Sequence, residues 1–376
     1  MGHRVVVWNE HGLEEAGGQQ VSGEFCGGRF EYVLGTTQRG RGFGSIATKW
    51  SGVRAILARI DAASKAQQLD LLILNQLSFY DTFPLSRLAR RSGVPTVQCF
   101  EDERFELVAS EGLALSQRLF GWNSWLGDHY CSSMADQIWV ISSYLQSKYA
   151  RLSGTPDRVH IIPTLIDVNA WELPSEPFEK IPLILYSGGF GEHEDIEKLT
   201  HALGWLKRQG VLFRMLFLGA NPGVPRADRM RSMIRELGIE SEVEVRGFCP
   251  STVVKSEMAR ASLLINLRTD SIWSRSGLST KLSEYLAGGR TIVTTDIGDN
   301  ARYVEHGVSA LVVKPNDSFE QVGEVMATAL QDPVLRQRLA VGAKRAALQS
   351  FHVPVVQKKL AHLIAQMCPD PSSITG

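Results

Sequence analysis

The feature that most constrains this chain is the regular alternation of short apolar runs with longer helix-period segments. Runs rich in Val, Ile and Leu at residues 4–8, 30–34, 70–75, 96–100, 137–141 and 159–162 read as strands. Helical patterns at 45–67, 83–92 and 143–152 lie between them. Continuous apolar runs are what strands buried on both faces require, and helices supply the crossovers between parallel neighbours. Residues 167–180 carry two prolines, an aromatic pair and several charges without a clear period, and read as a linker. A second series follows, with strands at 183–187, 213–219, 243–247, 262–267, 291–295 and 310–313. Its helices fit 194–208, 228–237, 253–259, 280–287, 319–330 and 333–349. The expected fold is α/β: two Rossmann-like domains, 1–166 and 181–352, facing across a cleft, with a C-terminal helix and tail at 353–376. Ligands of open parallel sheets bind beyond the carboxyl ends of the strands, so the cleft is the expected site.

Composition narrows the function classes. A length of 376 residues suits two ordinary domains. Lys plus Arg equals Asp plus Glu at 40 each, which argues against a nucleic-acid partner. The five cysteines are scattered without CxxC spacing, which argues against a disulfide framework or zinc site and fits a reducing cytoplasm. No apolar run reaches the roughly 18 residues of a membrane span, and the N-terminus lacks the apolar stretch of a signal peptide. A cytoplasmic protein is expected.

Two segments carry chemistry. Ser187-Gly188-Gly189-Phe190-Gly191 follows a strand, and its glycines allow close backbone approach to an anion, with the next helix offering N–H groups. The dinucleotide pattern GxGxxG is not completed, because Glu194 stands where its last glycine belongs; this disfavours a nicotinamide enzyme. The second segment runs from Arg275 through Ser276, Gly277, Leu278, Ser279, Thr280 and Lys281 to Gly289. Ser276, Ser279 and Thr280 offer N-cap oxygens and free N–H groups. Lys281 sits in a first helical turn, where the macrodipole favours an anion, so a diphosphate in front of it would account for its place. Glu284, one turn on, could accept from ribose hydroxyls. The competing reading is a solvated Lys281–Glu284 pair worth ~0.2–0.5 kcal/mol. No His, Cys or carboxylate cluster has metal-ligand spacing. Glu101 and Asp102 follow the strand at 96–100 and are candidate acceptor-side polar residues.

From about residue 159 to 351 the chain resembles the family-4 retaining glycosyltransferases of GT-B fold. Residues 159–167 (VHIIPTLID) are similar to the family's "v-I-P-N-G-v-D" segment, Phe217-Leu218-Gly219-Ala220 to its "i-v-G-x-G" turn, and residues 243–248 to its "v-x-f-x-G" strand. Residues 284–317 are similar to its long "E-a-m-A-x-G-k-P-V-V" to "P-x-D" segment, and Ser279-Thr280-Lys281 to Gly288 resembles a subgroup's "P-S-K-x-x-E-Y-L-A-x-G". The resemblance implies transfer of a sugar from a nucleotide-diphosphate sugar with retention, without metal or other cofactor, the leaving diphosphate being neutralised electrostatically. It places Glu284 at the second Glu of the E-x7-E motif, which binds ribose. Ser276 falls at the first Glu, which holds donor-sugar hydroxyls, and Gly277 to Thr280 at the phosphate amides. Gly188 matches the phosphate-turn glycine.

This chain departs from the family at three places. Ser276 replaces a Glu. The family's diphosphate Arg and Lys align with Gly189 and Glu194, so Lys281, Arg275 and Arg268 are the nearest substitutes. The N-terminus at residues 2–7 resembles the family's second strand, so the favoured reading lacks the first β/α unit; in the alternative, 4–9 is the first strand, Gly17-Gly18-Gln19-Gln20 is the glycine turn, and a very short helix precedes the strand at Phe30. The acceptor is a glycan, a lipid-linked molecule or a small molecule. Phe120, Trp122, Trp125 and Leu126 on one helical stretch, with Arg87, Arg90 and Arg91 on another, admit peripheral contact with the inner face of the cell membrane. A GT-B sugar-nucleotide epimerase and a catalytically impaired binding or partner homologue stay open as alternatives.

Overall fold

The computed structural model describes residues 4–9, 21–25, 28–34, 43–75, 78–103, 115–173 and 180–368. The chain divides into two compact units. One comprises residues 1–140, 145–161 and 358–376; the other comprises 141–144 and 162–357. The last helix, Val353–Met367, thus runs into the first unit, where the Gln137 side-chain amide donates to the Leu363 carbonyl (3.3 Å) and the Lys359 ammonium to the Ile161 carbonyl (2.7 Å). Of the stretch expected to be a linker, 174–179 lies outside the described residues.

The N-terminal unit holds a four-stranded parallel sheet in the order Leu72–Asn75, Thr96–Phe100, Gln137–Val140, Val159–Ile161. The helices Phe43–Lys65 and Phe79–Arg91 flank its first strand, and Ile56, Ile60, Leu72, Leu74, Leu85 and Ala89 form their shared core. A second sheet pairs Val5–Asn9 in parallel with Gly28–Leu34, which pairs antiparallel with Val21–Phe25. A strand therefore precedes Gly28–Leu34, where one reading of the sequence expected a very short helix. The residues of the expected glycine turn, Gly17 to Gln20, lie outside the described ones.

The C-terminal unit is a six-stranded parallel sheet. Numbered along the unit, its strands are Leu183–Ser187, Arg214–Leu218, Val243–Arg246, Leu263–Asn266, Ile292–Thr295 and Leu311–Val313; across the sheet they run third, second, first, fourth, fifth, sixth. Alternate side chains enter opposite cores. Ile184, Tyr186, Phe217, Ile265 and Val293 pack with the helices Ile196–Arg208 and Phe319–Gln331. Leu183, Leu185, Leu216, Leu264 and Ile292 pack with Leu282, Tyr285, Leu286, Ala343 and Phe351. This is the doubly wound order, and its direction reverses between the first and fourth strands. Beyond their carboxyl ends lies the switch point where such sheets bind ligands.

Candidate functional site

Three turns meet at the carboxyl ends of the first, second and third strands. The Gly188 amide donates to the Leu218 carbonyl (3.1 Å), and the Gly219 amide to the Gly247 carbonyl (3.0 Å). Gly219 has φ +98°, and a Cβ there would lie 2.2 Å from the Gly188 carbonyl oxygen, so only glycine fits. The Tyr186 hydroxyl donates to the Gly189 carbonyl (2.6 Å) and fixes the first turn from beneath. The helix expected at 194–208 spans Ile196–Arg208, and the Asp195 side chain caps it by accepting from the Lys198 amide. The free helix end at the switch point is a different one.

That end belongs to Thr280–Gly288, the helix after the fourth strand. Ser279 has the extended backbone of an N-cap, but its hydroxyl donates to Asn266 Oδ1 (3.0 Å) and makes no cap bond. Ser276 does not cap this helix either; it ends a separate short helix, Ile272–Ser276. The sequence expectation of serine N-cap oxygens is therefore corrected: an asparagine on the fourth strand diverts the Ser279 hydroxyl, and the helix begins without a side-chain cap.

Positions three and four residues apart share a helix face, so Lys281, Glu284 and Tyr285 lie together. Tyr285 is fully buried; its hydroxyl accepts from the Ser187 amide (2.9 Å) and returns a bond to the Ser187 carbonyl (3.3 Å). The Lys281 ammonium lies 2.5 Å from Glu194 Oε2, 3.2 Å from the Tyr186 hydroxyl and 4.4 Å from the Tyr186 ring centre. A Cβ on Gly188 would lie 2.8 Å from Lys281 Cδ and 2.9 Å from its Nζ, so the lysine rests on the bare glycine turn. The solvated Lys281–Glu284 pair is thus replaced by a buried Lys281–Glu194 pair, because the lysine stem turns towards the first strand.

The electrostatics are unequal. Burial pushes the Glu194 carboxyl up, but Lys281, a hydrogen bond from His193 and the Arg268 charge outweigh it and hold the group at about 2. Burial pushes Lys281 down; Glu194 offsets this only in part, and Arg268 adds to the lowering. Burial raises the half-buried Glu284 carboxyl against the pull of Lys281 and Lys255. Among the described residues, Glu284 has no hydrogen-bond or ion-pair partner.

The remaining expected residues fall in different settings. Arg268 is buried, with its Nε 3.4 Å from the Ser274 hydroxyl. Arg275 is exposed and held by both oxygens of Asp270 (2.7 and 2.8 Å). Ser276 is fully buried, and its carbonyl accepts from the Ser142 hydroxyl. Gly277 continues in extended backbone and Leu278 enters the core. Glu101 and Asp102, in the N-terminal unit, are exposed. Their neighbour Glu103 is buried and pairs with Lys148 (2.7 Å), which also pairs with Asp128 (2.7 Å). Sequence reasoning missed Tyr186, Tyr285, the Glu194 pairing and Phe248, an 81% exposed ring beside the Gly247 turn. The Lys281–Tyr285 spacing was the available signal. No group of three or more His, Cys, Asp or Glu among the described residues could hold a metal ion, and none of their helices is long and apolar enough to cross a membrane.

Comparison with known proteins bears on family and fold. Residues 169–346 match the family model for glycosyl transferases group 1, and residues 1–164 match that of a glycosyl transferase 4-like domain. The putative colanic acid biosynthesis glycosyltransferase WcaL of Salmonella typhimurium (strain LT2) is 25% identical over 235 residues, 61% of this chain and 56% of the relative. The chain spans about half the length of the curated relatives it matches. HepE from Anabaena, solved with UDP and glucose, superposes with a TM-score of 0.66 at 17% identity, covering 89% of this chain and 86% of its own. WaaG, a glycosyltransferase involved in lipopolysaccharide biosynthesis, does so at 0.65 and 17%, covering 98% and 92%. Two α/β units of this kind define the GT-B architecture. The chain has that fold and carries a glycosyl transferases group 1 domain at residues 169–346 and a glycosyl transferase 4-like domain at residues 1–164.

Proposed function

We propose that the chain transfers a glycosyl group from a nucleoside-diphosphate sugar to a glycan, lipid-linked or small-molecule acceptor, with retention of anomeric configuration and without a metal. One observation carries this reading: the Lys281 ammonium rests on a side-chain-free turn at Gly188, at the start of an uncapped helix, with the unpartnered Glu284 carboxylate one turn further on. As the bond from sugar to diphosphate breaks, negative charge grows on the leaving oxygen. A fixed cation and the backbone amides of Gly189 and Leu278 to Thr280 stabilise that charge, while the Gly188 and Gly277 amides, bonded to the Leu218 and Trp273 carbonyls, shape the two turns. Glu284 accepts from the ribose hydroxyls. Arg268 adds positive potential from behind, and Arg275 from the rim. Ser276, buried in place of a carboxylate, leaves recognition of the donor sugar to other groups.

Glu101 and Asp102, exposed after the strand Thr96–Phe100, are the acceptor-side candidates for orienting a hydroxyl or accepting its proton. The match to WcaL points to a polysaccharide acceptor, and HepE makes UDP the first nucleotide to test. The exposed Leu119 and Trp122, with the exposed Arg87, Arg90 and Arg91, support peripheral attachment at the inner face of the cell membrane.

The test is a panel of UDP, GDP, ADP and dTDP sugars, run with and without a polysaccharide acceptor and with and without EDTA. The expected result is transfer from one donor, insensitive to EDTA, with the product anomer matching the donor by NMR. An inverted product overturns retention, and loss with EDTA overturns metal independence. Donor epimerised or hydrolysed without acceptor replaces transfer by a nucleotide-sugar epimerase. Because Ser276 stands buried where the resemblance expects a carboxylate, a binding or partner protein is the second reading; nucleotide binding without turnover of any donor would favour it.

A further inference from the structure

Glu194 is a carboxylate placed where a diphosphate site has least use for one. It is 2% exposed and sits beside Arg268, Lys281 and His193. Burying a carboxylate is costly unless it is paired. The pairing also serves the lysine. Lys281 has a 12% exposed side chain, and its stem crosses Gly188, which offers no side chain to hold it. Apart from Glu194, the groups acting on it are the Tyr186 hydroxyl and ring, both neutral, Arg268, a like charge, and the Glu284 carboxylate, which makes no ion pair with it. A buried ammonium in such company loses its proton or moves towards water.

We infer that Glu194 is a positioning residue for donor binding: its carboxylate holds the Lys281 ammonium over Gly188 before a diphosphate arrives. This deepens the donor-site reading and rests on it. Position 194, where the family resemblance leads one to expect a cation, holds the anion, and the cation stands on the helix Thr280–Gly288. The groups facing Lys281 are Glu194, Arg268, Tyr186 and Glu284, with His193 behind Glu194 and Tyr285 one turn along. Removing the carboxylate leaves burial and Arg268 acting on Lys281 with less opposition. The lysine then loses its proton at lower pH, and the alkaline limb of nucleotide binding moves down.

The test uses the full chain and four nucleoside diphosphates, UDP, GDP, ADP and dTDP, titrated calorimetrically between about pH 6 and pH 10. For whichever one wild type binds, Glu194→Gln should bind roughly tenfold more weakly, with its alkaline limb about one pH unit lower. The exchange Glu194→Lys with Lys281→Glu restores the pair with its ends reversed and should bind better than either single change. A purely structural Glu194 would lower Tm and leave the affinity and pH profile of the folded protein unchanged; that result overturns the inference, as does an exchange variant no better than the single ones. Should Glu194→Gln fail to fold, the exchange variant decides alone. If Glu284→Ala weakens binding while Glu194→Gln does not, only this inference falls. If wild type binds none of the four, the donor-site reading falls with it.

Discussion

Among the described residues, Lys148 in the N-terminal unit and Lys281 in the C-terminal unit are both mostly buried against acids, and their surroundings differ. Lys148, in the N-terminal unit, lies 2.7 Å from both Glu103 and Asp128, and Asp128 takes a further bond from the Tyr149 hydroxyl (2.9 Å). Burial pushes Lys148 down, but its two carboxylates outweigh burial and the pKa rises. Tyr149 stacks on Phe100 with ring centres 3.8 Å apart, and ordinary side chains close the cluster. Lys281, in the C-terminal unit, has one paired carboxylate, the weaker pull of Glu284 and a nearby arginine, and there burial wins and the pKa falls. Its surroundings are glycine, two tyrosines and an uncapped helix start. A buried charge whose partners overcompensate it is a structural tie. One left undercompensated beside bare backbone still has affinity to offer an anion.

This contrast can be broken by substitution. The largest effect expected is on stability, from Lys148→Met. It leaves two buried carboxylates without their cation and should cost roughly 3–5 kcal/mol, read as a fall in denaturant midpoint. Nucleotide affinity of the folded protein should not change. Lys281→Met should act on function, lowering turnover by roughly 2.7–4 kcal/mol, on the order of a hundredfold to a thousandfold. In acid the same pair is visible in stability. Glu194 is held at about 2, below its ordinary 4.5, so its contribution is present above pH 4.5 and is lost as pH falls from 4.5 towards 2. Lys281→Met should weaken that acid dependence in unfolding titrations.

Glu284→Ala should weaken nucleotide binding by roughly 1.5–3 kcal/mol, the value of hydrogen bonds to a charged group. It should leave Tm nearly unchanged, since Glu284 has no partner among the described residues. The smallest effect on binding is expected from Gly188→Ala: the new methyl meets the far end of a flexible lysine, which shifts, and binding falls by roughly 1 kcal/mol. Gly188 has φ +157°, a conformation that L side chains rarely adopt, so this variant should also lose about 1–3 kcal/mol of stability.

The sheets were legible because strands buried on both faces must be apolar throughout. Leu183–Ser187 and Leu263–Asn266 follow directly from that rule. The helices Ile272–Ser276 and Asn300–Tyr303 were not, since one turn shows no period. One helix expected from residue 83 begins at Phe79, with Ser78 as its N-cap, and carries Pro84 inside it. Within the site, Lys281 and Glu284 could be singled out by position on one helix. Their setting could not, because the Glu194 partner lies on a distant loop and ion pairs leave no mark in local spacing. The same holds for Arg275, whose Asp270 partner stands at a separation no helix favours. A run of three acids at 101–103 gives no sign of which one is buried, and the buried one is Glu103.

The most direct measurement is calorimetric titration of UDP, GDP, ADP and dTDP onto wild type, Lys148→Met and Lys281→Met. The account predicts that one nucleotide binds wild type and Lys148→Met alike, and that Lys281→Met loses most of that affinity. Lys281→Met binding as tightly as wild type, or Lys148→Met losing the nucleotide while still folded, would contradict it.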